Sequence, residues 1–277
     1  MLDDRRYEGA VAWLDMLGFC NRSTNLAPEE ARDTLIAPLL HAALCSESSI
    51  RRLGRMVDYS PLEFLYFADS VVLYLPRRDA TIHCRPARVL ESMVYACNLM
   101  MARSVWVNIP IRGAIAYGEF LVSRDPLYFL GRPLLDAHWL ESNQEWAGVA
   151  LCDSAAQYLD QDVGRLVHWD VPLKRDHVEK HWVVNWPAAC LGPCIMATSL
   201  PGGEPEQCKP PDWDACFPDE DEDAQGKRRN TEAFFNANHR FGGGEMVGPE
   251  QRETVKHWRE MYAESRLHGF RPLHGAG

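Results

Sequence analysis

A chain of 277 residues is long enough for one large domain with extensions or for two small ones. Its 46% hydrophobic and 25% charged residues make an ordinary globular mix able to bury a sizeable core, and a net charge of −10 argues against a broad basic face for nucleic acid. A nucleotide ligand stays open, because bound divalent cations supply positive charge locally. The opening Met1-Leu-Asp-Asp-Arg-Arg is charged, and no apolar run reaches the length of a signal peptide or a membrane span, so no membrane partner is expected. Nine cysteines, an odd number at scattered spacing, read as free thiols of a reducing cytoplasm. Cys190-x3-Cys194 and Cys208-x7-Cys216 lack the tight paired spacing of a structural zinc site.

In chain order, Ala10 to Leu17 reads as a buried strand that holds one acid, Asp15, and is broken by Gly18. Pro28 to Leu44 has helical spacing, with Leu35, Leu39, Leu40 and Leu44 on one side. Phe64 to Tyr66 and Val71 to Leu75 are short apolar runs that read as a hairpin with Asp69 at its tip. Pro86 to Arg103 is helical, with Val89, Met93, Ala96, Cys97 and Met100 in register. Ile111 to Val122 and Leu127 to Leu130 read as strands, Gly131 opens a helix running to about Asn143, and Val149 to Cys152 is a further strand. Strands and helices intermixed around a central hairpin predict an α+β sandwich of the ferredoxin-like type, not a doubly wound parallel sheet. From about residue 187 Pro, Gly, Cys and Trp accumulate, followed by the acidic run 219–223, which reads as a solvated loop, and by Lys227-Arg-Arg. The expected division is a domain over 1–187 and an irregular extension over 188–277, closing on a helix over Glu250 to Leu267. Gly242-Gly-Gly-Glu-Met is read as a flexible Gly turn, since no strand pattern leads into it.

The chemistry is expected at two acids. Asp15 ends an apolar strand, where a carboxylate is expensive unless it is paired or binds metal. The turn after it, Met16-Leu17-Gly18-Phe19, brings backbone N–H groups towards a phosphate. Asp69 taken alone is an ordinary turn residue. In a βααβ unit, however, the end of the first strand and the tip of the following hairpin lie side by side. Two carboxylates there suit a pair of divalent cations that activate a hydroxyl and clamp a triphosphate.

These stretches resemble a known family. Trp13-Leu-Asp15-Met-Leu-Gly18-Phe19 resembles the opening metal-binding strand of class III adenylate and guanylate cyclases, and Phe67-Ala-Asp69-Ser70 resembles their second metal-aspartate hairpin. Arg112-Gly-Ala-Ile-Ala-Tyr-Gly118 is similar to the strand that follows, and Gly131-Arg-Pro-Leu-Leu-Asp-Ala137-His-Trp-Leu140-Glu141-Ser142 is similar to the next helix. The four motifs fall in the family's order across about residues 10 to 150. The resemblance implies the ferredoxin-like βααββαβ sandwich of that family with a C-terminal extension. It implies two Mn2+ or Mg2+ ions at Asp15, Met16 and Asp69, and a substrate lined by Leu17, Gly18, Phe19, Leu65, Tyr128 and Arg132. It also implies a homodimer with two composite sites. Arg112 is the first candidate for the cation that completes the site as charge moves on the phosphates, with Arg132 and His138 behind it.

The departures matter as much. Leu65 stands where adenylate cyclases have a base-reading Lys, and Tyr128 where they have an adenine-reading Asp. Leu135 and Trp139 stand where the family has its transition-state Asn and Arg. This combination, with Glu119 after Gly118, resembles the pyrimidine cyclases of bacterial anti-phage Pycsar systems. That likeness implies UTP closed to 3′,5′-cyclic UMP, or CTP to cyclic CMP, as a second messenger read by a separately encoded effector. Two other readings are an adenylate or guanylate cyclase with an unusual pocket, and a catalytically inactive cyclase-like module that binds a nucleotide.

Overall fold

The computed structural model describes residues 5–40, 43, 62–77, 85–124, 127–159, 165–190, 211–218 and 221–238. Its first strand, β1 (Arg5–Met16), is followed by a short helix α1 (Phe19–Ser23) and by α2 (Pro28–Ala31), which continues as a π-helical turn over Arg32–Ile36. Leu35 and Leu39 are buried, as the spacing predicts, but the π-turn breaks the single helix expected from residue 28 onward. Then come β2 (Glu63–Phe67), β3 (Ser70–Pro76), α3 (Pro86–Trp106) and β4 (Ile111–Arg124), completing a βααββαβ unit. β5 (Leu127–Gly131), α4 (Arg132–Asn143) and β6 (Val149–Leu151) follow in the expected order, and a short helix α5 (Asp153–Ala156) is added after them.

Beyond these, β7 (Leu166–Leu173) and β8 (His177–Val184) form a hairpin that the sequence pattern does not announce. Helices α6 (Trp186–Cys190), α7 (Trp213–Cys216) and α8 (Glu222–Asn238) close the described chain. Glu222 and Asp223 of the acidic run lie in the first turn of α8, where carboxylates complement the helix dipole, so that part of the run is helical and not a loop. The helix expected over 250–267 and the Gly turn at 242–246 lie outside the described residues.

The strands make one mixed sheet in the order β2-β3-β1-β4-β6-β8-β7, with β5 added to the far end of β4. β1 lies inside the sheet, antiparallel to both β3 and β4, while β4 and β6 run parallel. One face carries Ala10, Ala12, Leu14 and Met16 of β1 with Val71, Leu73 and Leu75 of β3, packed against Leu90, Met93, Cys97 and Met100 of α3. Pro86 starts α3 at a position where its missing N–H is no loss. The other face carries a smaller cluster of Val11, Val72, Tyr74, Phe120, Val122 and Phe129. An acid at position 15 shares the parity of Val11 and Trp13, so it points to this second face. Small residues at 114, 116 and 118 of β4 let α4 lie close on the same face; a Cβ on Gly118 would meet Pro133 of α4 at 3.5 Å. The α+β, ferredoxin-like sandwich expected from the element order is the architecture found. Among the described residues no helix is long and apolar enough to cross a membrane.

Candidate active site

Asp15 is the second-last residue of β1, and the two strands beside it fix its neighbours. It faces Ser70 of β3 on one side and Arg112 of β4 on the other. Asp69 sits in the β2–β3 turn, whose first residue, Ala68, has a left-handed backbone at φ 47°. That conformation is usual for Gly in a tight hairpin. The turn is tied back to β1 by the Met16 N–H, which donates to the Asp69 carbonyl at 3.0 Å. The Ser70 hydroxyl donates to Asp15 Oδ1 at 2.9 Å and lies 3.4 Å from Asp69 Oδ1. Both carboxylates therefore meet at one hydroxyl, as expected of a strand end and a hairpin tip.

On the other side is a buried charge network. Arg112 Nε donates to Glu141 Oε1 at 2.5 Å, Nη1 donates to the Gln144 carbonyl at 2.9 Å, and Nη2 lies 3.8 Å from Asp15 Oδ2. Glu141, at the end of α4, is 2% exposed. Burial first, and then the nearby Glu141 carboxylate, push the Asp15 carboxyl up from its ordinary 3.8 to about 6; Asp69 adds to this, while Ser70 and Arg112 oppose it. Asp15 and Glu141 thus share one guanidinium, with Asp69 adding negative charge beside Asp15.

The oxygens of Asp15 and Asp69 suit a hard divalent cation. Among the described residues no group of three His, Cys, Asp or Glu forms a closed cage.

Leu17 and Gly18 turn the chain directly after these acids. The Leu17 side chain is largely buried and its N–H donates to the Pro110 carbonyl at 2.9 Å, and Leu17 and Gly18 border a small cavity shared with Arg22 and Cys216. Gly18, at φ 73°, takes the left-handed conformation that starts α1 at Phe19, and Phe19 packs its ring against the core. Leu65 lies opposite Val72 on β2 and packs against the second-face cluster, two residues along from the Asp15–Ser70 pair. Tyr128 and Arg132 are elsewhere. Tyr128 pairs with Ser123 near the end of β4, roughly 35 Å along that strand from Arg112 at about 3.3 Å per residue. Arg132 opens α4, its side chain 83% exposed and paired with Asp136 at 2.7 Å. One copy of the chain thus gathers Asp15, Asp69, Arg112 and the Met16–Phe19 turn, and leaves Tyr128 and Arg132 at the opposite end of β4. His138 packs edge-on against Trp13 at 4.6 Å between ring centroids. Leu135 and Trp139, one turn apart on α4, are 63% and 62% exposed.

Sequence reasoning quoted Ser70 and Glu141 inside motifs but gave them no task, and it passed over Gln144. A buried acid beside Ala137 and Leu140 on the inner side of a helix was the available signal for Glu141, since such an acid needs a cationic partner.

No protein-family model matches the sequence, and no curated protein matches it. Solved structures similar to it include the catalytic core of a rhodopsin-guanylyl cyclase with converted specificity, in complex with ATPalphaS. That core aligns at TM-score 0.45 and 15% identity over 66% of this chain and 98% of its own. The adenylyl cyclase CyaB from P. aeruginosa aligns at TM-score 0.44 and 17% identity, over 66% and 96%. A class III adenylyl cyclase-like ATP-binding protein from Pseudomonas aeruginosa aligns at TM-score 0.43 and 15% identity, over 97% of this chain and 46% of its own.

Proposed function

We propose that the chain is a nucleotidyl cyclase that closes a nucleoside triphosphate to a 3′,5′-cyclic monophosphate and pyrophosphate. The observation that carries this reading is the meeting of Asp15 and Asp69 at the Ser70 hydroxyl, beside the buried Arg112. In the reaction the ribose 3′-oxygen attacks the α-phosphorus, one P–O bond forms, and the bond to the leaving pyrophosphate breaks. Asp15 and Asp69 would hold two Mn2+ or Mg2+ ions, with the Met16 backbone beside them. When bound, these ions lower the pKa of the 3′-hydroxyl and offset the charge of the phosphates. Ser70 fixes the Asp15 carboxylate through its hydrogen bond. Arg112 keeps a positive charge next to Asp15, and Glu141 and the Gln144 carbonyl hold its guanidinium in place. The turn at Gly18 and Phe19 offers backbone N–H groups to the phosphates, whereas the Leu17 N–H is already bonded to the Pro110 carbonyl.

A homodimer with composite sites is part of this reading, and the distance between the two ends of β4 supports it. A second copy, reversed against the first, would bring its Tyr128 and Arg132 to the Asp15 end, and the exposed Leu127, Leu130, Leu135 and Trp139 are suited to burial there. UTP is the favoured substrate and CTP the alternative. Leu65 and Tyr128 offer neither the charge nor the amide that a purine edge contact uses, whereas a Tyr stacks on or hydrogen-bonds a pyrimidine. By its resemblance to the Pycsar cyclases, the enzyme is cytoplasmic and makes an anti-phage second messenger for a separately encoded effector.

The test is the purified protein with Mn2+ and each of the four ribonucleoside triphosphates, with products read by mass spectrometry beside an Asp15→Ala/Asp69→Ala double variant. A cyclic pyrimidine monophosphate from the wild type alone is the expected result. The exposed Leu135 and Trp139, in place of the family's polar pair, favour a second reading, an inactive nucleotide-binding module. Tight Mn2+-dependent binding of a triphosphate with no turnover, also in lysate from phage-infected cells, would select it.

A further inference from the structure

The loop between α4 and β6, residues 144–148, does two things at once. It gives Arg112 one of its acceptors, the Gln144 carbonyl at 2.9 Å, and it joins the strand ends around Gly113. Gln144, fully buried, donates from Nε2 to the Gly113 carbonyl at 2.8 Å and accepts from Trp146 Nε1 at 2.7 Å. Buried backbone groups in such a loop need partners of their own. Two come from α8, more than eighty residues further along the chain. Asn230 Nδ2 donates to the Glu145 carbonyl at 2.8 Å, and the Thr231 hydroxyl accepts from the Ala147 N–H at 2.8 Å. Thr231 is fully buried, and its own proton goes to the Lys227 carbonyl at 2.7 Å. Phe234 of α8 meets the Trp146 ring edge-on at 4.8 Å, both side chains fully buried. The Lys227 ammonium pairs with Asp223 and lies 3.6 Å from Glu145 Oε2.

The same C-terminal stretch also holds the other flank of Asp15. Arg22, in α1 just after the Gly18 turn, donates to the Asn108 carbonyl at 2.7 Å and to the Cys216 carbonyl of α7 at 2.5 Å. The segment from α7 to α8 is thereby bonded to both stretches of chain that flank the acid: the turn that follows it and the loop that holds Arg112.

We propose that Asn230 and Thr231 of α8 are positioning residues of the candidate active site, acting through the 144–147 backbone to hold the Arg112 guanidinium against Asp15. A positioning role in catalysis rests on the reading of Asp15 and Asp69 as metal acids; the mechanical link to Arg112 does not. Thr231→Val keeps the volume of the side chain and removes the acceptor for the Ala147 N–H. Thr231→Ser keeps the acceptor.

The experiment measures two things in the full chain. The first is hydrogen exchange of the Arg112 Nε–H by NMR, assigned by its loss in Arg112→Lys. The second is the rate of cyclic nucleotide formation with Mn2+, resolved into kcat and KM. Arg112 Nε–H exchange is expected to be at least tenfold faster in Thr231→Val and restored in Thr231→Ser, with kcat falling about tenfold and KM changing less than threefold. Unchanged Arg112 exchange in a Thr231→Val protein that still melts cooperatively overturns the proposal, whatever the enzyme does. Faster exchange with kcat intact also overturns it, because the link would then be structural only. Faster exchange in a protein whose wild type makes no cyclic product and binds no Mn2+ sinks the cyclase reading and leaves the link to Arg112 standing. If Thr231→Val does not fold, Asn230→Ala, at a half-buried position with one hydrogen bond to lose, carries the same two readouts, and Asn236→Ala on the exposed side of α8 is the control.

Discussion

The two ends of β4 are built to opposite plans. At its start, Arg112 and Glu141 form a buried ion pair, and Asp15 and Asp69 share a hydroxyl between them. Towards its far end the charged pair is Arg132–Asp136, with the Arg side chain 83% exposed, and Leu127 and Leu130 of β5 face outward. The first end is finished by contacts within the chain. The second is solvent-facing, with its charged pair and its apolar side chains at the surface. The contrast teaches where the chain prepares buried chemistry, and which surface the proposed second copy would cover.

The largest expected effect is at the acids. Asp15→Ala and Asp69→Ala each reduce cyclic product at least a thousandfold by mass spectrometry, while Tyr128→Ala, at the other end, mainly shifts which triphosphate is used. Mixing the two inactive-site classes sharpens the comparison. Asp15→Ala and Arg132→Ala proteins, each impaired alone, regain up to about a quarter of wild-type activity when combined, because one of the two sites in a mixed dimer is then intact. No recovery in a mixture shown to exchange subunits would mean that both ends serve one chain separately.

Next in size is Glu141→Gln. Removing one partner of a buried ion pair strands the other charge, a loss of about 3 kcal/mol. The variant should unfold at lower denaturant with unchanged slope. The same change at the exposed pair, Asp136→Asn, should move stability by less than about 0.5 kcal/mol.

Third is pH. The folded state binds the Asp15 proton up to about pH 6, whereas the ordinary carboxyl releases it near 3.8. The unfolded chain therefore binds fewer protons between those values, and stability falls as pH rises from about 4 through 6. Two pH units correspond to about 3 kcal/mol, which solvent at a partly open site reduces to about 1–2 kcal/mol. Asp15→Asn should be more stable than wild type at pH 7 by that amount and equal to it near pH 4, measured by urea unfolding. Mn2+ should stabilise the wild type at pH 7 and not the variant.

The fold was largely legible because its signals are local. The apolar run of β1, the β2–β3 hairpin and the α3 register are all periodic, and periodicity survives without knowledge of the partner. Asp15 stood out because an acid closing an apolar strand needs a reason, and Asp69, an ordinary turn residue alone, stood out only beside it. What stayed hidden depends on contacts distant in sequence. The β7–β8 hairpin mixes Trp, His, Lys and Glu, with exposed residues through the first half of β8, so the hairpin lacks a continuous apolar stripe. Helix α8 begins in an acidic run and keeps only Thr231, Phe234 and Phe235 buried, and a short Thr-x-x-Phe-Phe patch does not single itself out until Trp146 and Trp186 are placed against it. The separation of Tyr128 and Arg132 from the acids is a matter of strand direction, which no motif states.

The smallest effect returns to the comparison with its sign reversed. Ala68 holds φ 47° in the turn that carries Asp69, a conformation that a Cβ disfavours by about 1 kcal/mol and that Gly adopts freely. Ala68→Gly gains by relieving that strain and loses part of the gain to the greater freedom of Gly in the unfolded chain, so a net stabilisation of about 0.5 kcal/mol is expected. At the exposed end, Arg132→Ala removes a solvent-screened pair and should lower stability by a few tenths of a kcal/mol at most. If the turn at Ala68 is strained to place Asp69 beside Ser70, Ala68→Gly also loosens that placement, and Mn2+ affinity drops severalfold even as the melting temperature rises. Strain of this kind persists where surrounding structure over-determines it, and here the Met16 N–H to Asp69 carbonyl bond is the restraint. A variant that melts higher and binds Mn2+ as well as wild type would mean that this bond alone sets the position of Asp69, and that the backbone of Ala68 follows from it.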